Sequence, residues 1–229
     1  MNNLIFDLDG TLTDSLPLII EAQSKALQEA GVEPDREKII SYIGYPLLQT
    51  GEELLGPGRG WEYVELYQKY YKASGKKPLP FPGIREMLDT LRRHGCRLAV
   101  ATSKRQAAAM ESLSYIGEAG LFDAVVTAES GCGCKPGPGP ALKAMELLSA
   151  PPESTVFVGD SLFDWECAHA AGVAFVGVAW GAVSGDRLRQ AGAETVAESV
   201  EELTAILLRP LPAPAGVAKE KSEGENGKV

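Results

Sequence analysis

The amino-acid sequence predicts an α/β protein built on a doubly wound, Rossmann-like parallel sheet, with a small helical domain inserted after the first strand. Three observations predict it. Short apolar runs rich in β-branched residues recur without strict polar alternation, as strands buried on both faces do. Between most of these runs lie stretches whose apolar residues repeat at helical spacing, and strands alternating with helices build a parallel sheet covered on both sides. One long stretch, residues 15–80, breaks that rhythm and holds no convincing strand.

The first strand is expected at residues 4–6, immediately before Asp7. Further strands are expected at 97–101, 124–127, 155–158 and 174–178, each bounded by polar or turn residues. Helix is expected at 84–93, where Ile84, Met87, Leu88 and Leu91 share one face and Gly95 follows as a stop. Residues 106–116, 140–148 and 163–171 read in the same way, the last ended by Gly172. Inside the strandless stretch, residues 16–30 carry Leu16, Ile19, Ile20, Ala26, Leu27 and Ala30 at helical spacing. Further helices are expected at 36–42, 47–55 and 61–72, separated by Gly44, Pro46 and the turn at 56–58. The proline-rich segment 78–82 is the expected hinge back to the sheet. Residues 209–229 are rich in Pro, Ala, Gly, Lys and Glu, with almost no large apolar side chains, the composition of a disordered tail. The expected division is a sheet domain (1–14 and 81–208), a helical domain (15–80) and that tail.

With 45% hydrophobic and 23% charged residues, the chain can bury a sizeable core. Its formal net charge is −9 and no basic stripe stands out, so nucleic acid is not an expected partner. No apolar stretch approaches membrane-spanning length, and the start lacks the basic-then-apolar pattern of a secretory signal. A cytoplasmic protein that binds no membrane is expected. Its four cysteines, Cys96, Cys132, Cys134 and Cys167, do not resemble a disulfide framework. Cys132 and Cys134 form a C-x-C pair, but no neighbouring cysteine or histidine pair completes a tetrahedral zinc site.

Four short tracts carry residue types suited to chemistry. The first is Asp7-Leu8-Asp9-Gly10-Thr11-Leu12-Thr13. Carboxylates two positions apart stand on the same side of an extended chain, here at the end of the first strand, where open α/β sheets bind ligands. Gly10 lets the backbone turn and approach a ligand closely, and the Thr11 and Thr13 hydroxyls can donate. An Asx turn would account for Asp-Gly, but not for two mutually repelling acids after an apolar strand. The second tract, Ala101-Thr102-Ser103-Lys104, puts hydroxyls at the start of a helix, where they suit a phosphate oxygen; an ordinary helix cap would use the same residues.

In the third, Cys134-Lys135-Pro136-Gly137-Pro138, the residues around Lys135 fix the backbone. A held ammonium can balance a carboxylate and a phosphate at once, although a lone loop lysine is usually just solvated. The fourth, Gly159-Asp160-Ser161-Leu162-Phe163-Asp164, sets two acids four residues apart after another apolar strand. Carboxylate oxygens are what Mg²⁺ prefers, with water and substrate phosphate completing its octahedron; either acid could instead face a helix N-terminus. All four tracts fall just past apolar strands, so a parallel sheet brings them to one edge, and the bland readings would then all have to hold together.

The order D-x-D-G-T, Thr102 after a strand, Lys135-Pro136 and then G-D-x-x-x-D resembles the haloacid dehalogenase superfamily of phosphohydrolases over nearly the whole chain, to about residue 208. The helical insertion resembles that superfamily's C1-type cap. Within it the chain is similar to the phosphoglycolate-phosphatase-like branch, with Tyr42-Ile43-Gly44-Tyr45-Pro46-Leu47 as a looser match.

The resemblance implies a Mg²⁺-dependent phosphoric monoester hydrolase acting on a small phosphorylated metabolite. Asp7 would be the nucleophile, forming an aspartyl-phosphate that water hydrolyses; a carboxylate is ionised at neutral pH without an activating base. Asp9 would protonate the leaving alkoxide and then take a proton from the attacking water. Mg²⁺ would be held by Asp7, the Asp9 backbone carbonyl and Asp160, with Asp164 orienting metal-bound water or Lys135 from behind. Lys135, Thr102, Ser103 and Thr11, with backbone groups of Leu8 and Gly10, would hold the phosphate. Asp9 argues against dehalogenation, because a halide leaving group needs no proton.

A sugar phosphomutase or an inorganic pyrophosphatase of the same superfamily would share these motifs, whereas a silent binding protein would have lost one of them. The insert is expected to choose the substrate. Arg36, Lys38, Tyr45, Lys69 and Lys72 are candidate contributors, although a solvated helix face also accounts for each. The pattern is compatible with a monomer or a homodimer.

Overall fold

The structure, a computed structural model, describes residues 2–117 and 120–209. Its strands are β1 (Asn3–Phe6), β2 (Arg97–Ala101), β3 (Ala124–Val126), β4 (Thr155–Gly159), β5 (Ala174–Val178) and β6 (Val196–Ala197). All pair in parallel, in the order β3-β2-β1-β4-β5-β6. Helices α1 (Leu16–Glu29), α2 (Arg36–Ser41), α3 (Leu47–Leu55) and α4 (Gly60–Ala73) lie between β1 and β2. The rest alternate with later strands: α5 (Ile84–Arg93), α6 (Gln106–Ile116), α7 (Gly139–Leu148), α8 (Leu162–Ala170), α9 (Gly185–Ala191) and α10 (Val200–Leu207).

Successive residues of a strand face opposite sides of a sheet, and here each side has its own core. Leu4 and Phe6 of β1 pack with Leu98, Val100, Val156 and Val158 against α5, α6 and α10. Ile5, Ala99 and Phe157 turn to the other side and meet α7 and α8. These strand side chains are fully buried, each worth roughly 1.5–3 kcal/mol if large and apolar. Burial on both sides is the physical reason that the strands lack a polar alternation.

The winding reverses at the centre. From β1 the chain steps outward through β2 to β3, then returns to β4 on the other flank of β1 and proceeds to β5 and β6. Such a reversal leaves a crevice beyond the carboxyl ends of the two strands that flank it, here β1 and β4.

Helices α1 to α4 have a separate apolar cluster, in which Ile19, Ala26 and Leu27 of α1 meet Ile39 of α2, Leu54 of α3 and Tyr63 of α4. Glycine allows the closest approach: a methyl on Gly51 of α3 would lie 2.9 Å from the backbone of Gly60 in α4. The chain leaves and re-enters the sheet along paired segments. Thr13 bridges Pro80, Asp14 N–H donates to the Leu79 carbonyl at 2.8 Å, and Phe81 N–H donates to the Leu12 carbonyl at 3.1 Å. The expected hinge at 78–82 is therefore hydrogen-bonded to the outgoing chain.

Three elements go beyond the sequence-based expectation. β6 has two residues, matched only to Gly177 and Val178 of β5, too few for a period to register. The seven-residue α9 is equally short. α10 does carry a signal: Ser199 accepts from the Glu202 N–H at 3.2 Å, and Leu203 and Leu207 are buried on one face. Of the expected tail, residues 210–229 lie outside the described residues.

Candidate active site

Asp7 is the first residue beyond β1 and Asp160 the first beyond β4, so both stand at the central crevice. Lys135 reaches the same place from the loop between β3 and α7. Its Nζ donates to Asp7 Oδ1 and to Asp164 Oδ1, each at 2.6 Å. Lys135 and Asp160 are 1% exposed, Asp7 3% and Asp164 0%. Charges so buried persist only when paired and hydrogen-bonded.

Each acid is oriented by its neighbours. Asp160 Oδ1 accepts from the Thr11 hydroxyl at 2.8 Å and Oδ2 from the Ala182 N–H at 2.6 Å. Gly10 and Gly181 flank that carboxylate so closely that a methyl on either would collide with it; Gly10 also takes φ 85°, a left-handed conformation suited to glycine. Asp164 closes a capping box at the start of α8, its Oδ2 accepting from the Ser161 N–H at 3.0 Å and hydroxyl at 2.6 Å. Asp164 thus caps α8 with one oxygen and meets Lys135 with the other.

Asp7, Asp160 and Asp164 place carboxylate oxygens within 4.8 Å of one another. One ammonium, Lys135, faces these three acids, which leaves two formal negative charges uncompensated. Burial pushes the Asp7 carboxyl well above the ordinary range, Asp164 and Asp160 adding to it while Lys135 pulls it back. Burial, with Asp164, raises Asp160 to about 7 against the opposing bonds from Ala182 and Thr11. Burial acts on Lys135 in the opposite sense, but Asp164 and Asp7 outweigh it and hold the ammonium above its usual value. A buried, oxygen-only, net anionic cluster fits a hard divalent cation.

Asp7 also lines a cavity of about 430 Å³ that lies between the sheet edge and the helical insert. Asp9, Thr102, Ser103 and Lys104 line it from the sheet; Ile19, Gln23, Tyr45, Tyr67, Tyr71 and Lys72 line it from the insert. Asp9 Oδ1 accepts from the Ser15 hydroxyl at 2.5 Å and pairs with the Lys104 ammonium. The insert is tied down nearby. The Ser103 hydroxyl donates to the Gly44 carbonyl at 2.6 Å, and the Tyr45 ring stacks on Phe163 with centroids 5.0 Å apart.

The four tracts thus converge. Asp7, Lys135, Asp160 and Asp164 form one buried group, and Asp9 and Thr102 share the cavity with Asp7. The Asp9 carboxylate stays out of the acidic cluster and turns to Ser15 and Lys104. Several groups expected at phosphate already have partners: Thr11 donates to Asp160, Ser103 to Gly44, and the Gly10 N–H to the Thr13 carbonyl at 2.9 Å. Leu8 is buried, its carbonyl accepting from Leu12 and Thr13. Among the candidate specificity residues, Tyr45 and Lys72 line the cavity; Arg36, Lys38 and Lys69 do not, and Lys69 pairs with Glu29 at 2.5 Å.

Sequence reasoning passed over Lys104, Ser15 and Gly181. Lys104 directly follows the Thr102-Ser103 pair and Ser15 directly precedes α1, so position beside a motif was the available signal for each. Gly181, just past β5, belonged to a strand end like the other tracts.

The family description "Haloacid dehalogenase-like hydrolase" matches residues 4–178. The chain is 35% identical over 190 residues to a phosphoglycolate phosphatase of Aquifex aeolicus, covering 80% of this chain and 87% of that protein. It is 33% identical over 209 residues to the pyrophosphatase PpaX of Halalkalibacterium halodurans, covering 90% and 97%. Among solved structures, a hydrolase from Pseudomonas syringae superposes with a TM-score of 0.83 at 26% identity, over 90% of this chain and 98% of that one. The chain belongs to the haloacid dehalogenase-like hydrolase family. Its relatives there are named as phosphatases.

Proposed function

We propose that the protein is a Mg²⁺-dependent phosphatase that cleaves a small phosphate monoester through an aspartyl-phosphate on Asp7, as the phosphoglycolate phosphatases among its relatives suggest. The observation that carries this reading is the buried Asp7–Lys135–Asp164 array beside Asp160, in which Asp7 also lines a cavity shared with Asp9 and Thr102. Residues 15–80 act as a cap on a catalytic core formed by 1–14 and 81–208.

Lys135 holds Asp7 Oδ1, which leaves Oδ2 as the attacking atom. As the Oδ2–phosphorus bond forms, the ester bond breaks and Asp9 hands its proton to the leaving alkoxide. Water then attacks the phosphorus, gives a proton to Asp9 and releases phosphate, restoring the Asp7 carboxylate. Lys135 and Thr102 stabilise the charge that spreads over the phosphoryl oxygens. Ser15 and Lys104 hold the Asp9 carboxylate at the cavity wall in this structure, so Asp9 leaves them and takes up a proton before it acts as the acid. Bound Mg²⁺, held by Asp7 and Asp160 with Asp164 behind them, would supply the charge neutralisation that lets a carboxylate approach a phosphate.

The test is phosphate release from a panel of phosphorylated metabolites, with Mg²⁺ and with chelator. Asp7→Asn should lower turnover by at least about 10³-fold while unfolding like the wild type; full activity in that variant removes Asp7 from the mechanism. Independently of activity, Mg²⁺ at about 100 times its Kd should stabilise the wild type by roughly 2.7 kcal/mol, and Asp160→Asn should lose most of that gain. Pyrophosphate belongs in the panel because several relatives are named pyrophosphatases.

A further inference from the structure

We propose that Trp180 is a positioning residue for the cation site: its indole N–H closes a clasp around Asp160 and so sets how tightly a divalent cation is held. This deepens one part of the phosphatase reading, the carboxylate cation site, and rests on that part.

Asp160 is gripped from two directions. The Thr11 hydroxyl, beyond β1, donates to Oδ1 at 2.8 Å. The segment beyond β5 reaches the other oxygen: the Ala182 N–H donates to Oδ2 at 2.6 Å, and the next residue, Val183, donates its N–H to the Asp160 carbonyl at 3.2 Å. β1 and β5 lie on opposite sides of β4, so the sheet itself does not join these two jaws. Trp180 supplies the tie, its Nε1–H donating to the Thr11 carbonyl at 3.2 Å. The circuit is then complete. It runs from Asp160 Oδ1 to Thr11, from the Thr11 carbonyl to Trp180, two residues along the chain to Ala182, and back to Asp160 Oδ2. Between Trp180 and Ala182 stands Gly181, where a methyl would lie 2.1 Å from the Asp160 side chain.

Mg²⁺ demands near-ideal octahedral geometry from its oxygen ligands, so a carboxylate free to turn holds it less well. Outer groups that orient a metal ligand are worth about 10- to 100-fold in affinity. Both Asp160 oxygens are engaged in the clasp, and a cation takes one of the remaining lone pairs, whose direction the clasp has fixed. The Trp180 ring also packs. It is half-buried, meets Phe81 edge-on with centroids 6.2 Å apart, and rests against the core that contains Leu8 and Leu12. A half-buried indole usually finds a partner for its N–H. What singles out this one is the partner: the backbone of the residue whose side chain holds Asp160.

The experiment measures Mg²⁺ binding to the whole, chelator-treated chain by isothermal titration, without substrate, alongside melting without metal. Trp180→Phe removes the N–H and keeps a ring, and should weaken Mg²⁺ binding by about 3- to 10-fold, the scale of one hydrogen bond. Thr11→Val should weaken it by about 10-fold or more. Adding Trp180→Phe to Thr11→Val should cost little further affinity, because the tie then leads to no donor on Asp160. Phe81→Leu disturbs the packing of the indole but no bond of the clasp, so it should lower the melting temperature and leave Mg²⁺ affinity unchanged. Should Trp180→Phe not fold, Trp180→Tyr takes its place. Unchanged affinity in the Trp180 variant overturns the inference. So does an equal loss with and without the Thr11 hydroxyl, or an equal loss in Phe81→Leu, since either marks the ring as packing alone. In all three cases the wild-type cation site stands. No Mg²⁺ binding by the wild type sinks the inference together with the metal part of the proposed function.

Discussion

The sheet edge and the helical insert handle buried polarity in opposite ways. At the edge, Lys135 joins Asp7 to Asp164, and Thr11 and the Ala182 N–H hold Asp160 beside them, so each of these side chains has a hydrogen-bond partner. In the insert lie Gln23, Tyr63 and Tyr71, whose side-chain atoms are the buried polar ones without a partner among the described residues. The edge must hold charges against one another at fixed distances whatever ligand arrives, and a fully satisfied network does that. The insert is held by apolar and aromatic packing instead, which tolerates an unpartnered amide or phenol oxygen better than it would an unpaired charge. Charge is thus built into the interior of one region and, among the described residues, kept out of the interior of the other.

The largest effect that would sharpen this contrast comes from Lys135→Met. Methionine roughly keeps the length but removes the ammonium between Asp7 and Asp164, leaving three buried acids to face one another. Breaking such a buried pair costs about 3–5 kcal/mol, which urea unfolding in chelator should show, and phosphate release should fall steeply as well. Wild-type stability in that variant would mean that the edge is not a mutually dependent network. Thr11→Val should come next. It removes the donor to Asp160 Oδ1 at about 1.5–3 kcal/mol for a bond to a charged group. Because Asp160 is a proposed Mg²⁺ ligand, the shift in melting temperature on adding Mg²⁺ should change with it.

Gly51→Ala tests the insert in turn. The new methyl would press on the Gly60 backbone where α3 meets α4, and overpacking of this kind costs about 1–3 kcal/mol. The Mg²⁺-induced shift in melting temperature should nevertheless match the wild type, because Gly51 touches nothing at the sheet edge. A changed Mg²⁺ response would erase the distinction between the two regions.

The same contrast explains what was legible in the sequence. A carboxylate after an apolar strand has few structural uses, so Asp7 and Asp160 stood out, and parallel topology then required Lys135 and Thr102 to join them. The insert offered no comparable anomaly. Gln23, Tyr67 and Tyr71 sit on helices whose apolar spacing reads as ordinary packing, and which polar atom lacks a partner is a fact of three dimensions. Three charges on the insert follow the solvated-face reading that the sequence also allowed. Arg36 and Lys38 lie on solvent-exposed faces, and Lys69 spends its charge on Glu29. β6 and α9 were missed because two and seven residues are too short to show a period.

The smallest expected effect lies where the two regions meet. Tyr45 belongs to the insert and stacks on Phe163 at the start of α8, with rings 5.0 Å apart and 18° from parallel. Beside it the Ser103 hydroxyl reaches the Gly44 carbonyl, so one short tract of the insert is tied to segments that follow two different strands. An aromatic pair is worth about 0.5–1.5 kcal/mol beyond the area it buries. Tyr45→Ala should therefore barely lower the melting temperature, since neither core depends on that ring. It should raise KM several-fold, because part of the cavity wall is lost and the tie above the site is weakened. Tyr45→Phe, which keeps the stack, should restore KM. If Phe fails to rescue, the phenol oxygen rather than the ring is what matters, and Tyr45 contacts the ligand instead of fastening the two regions together.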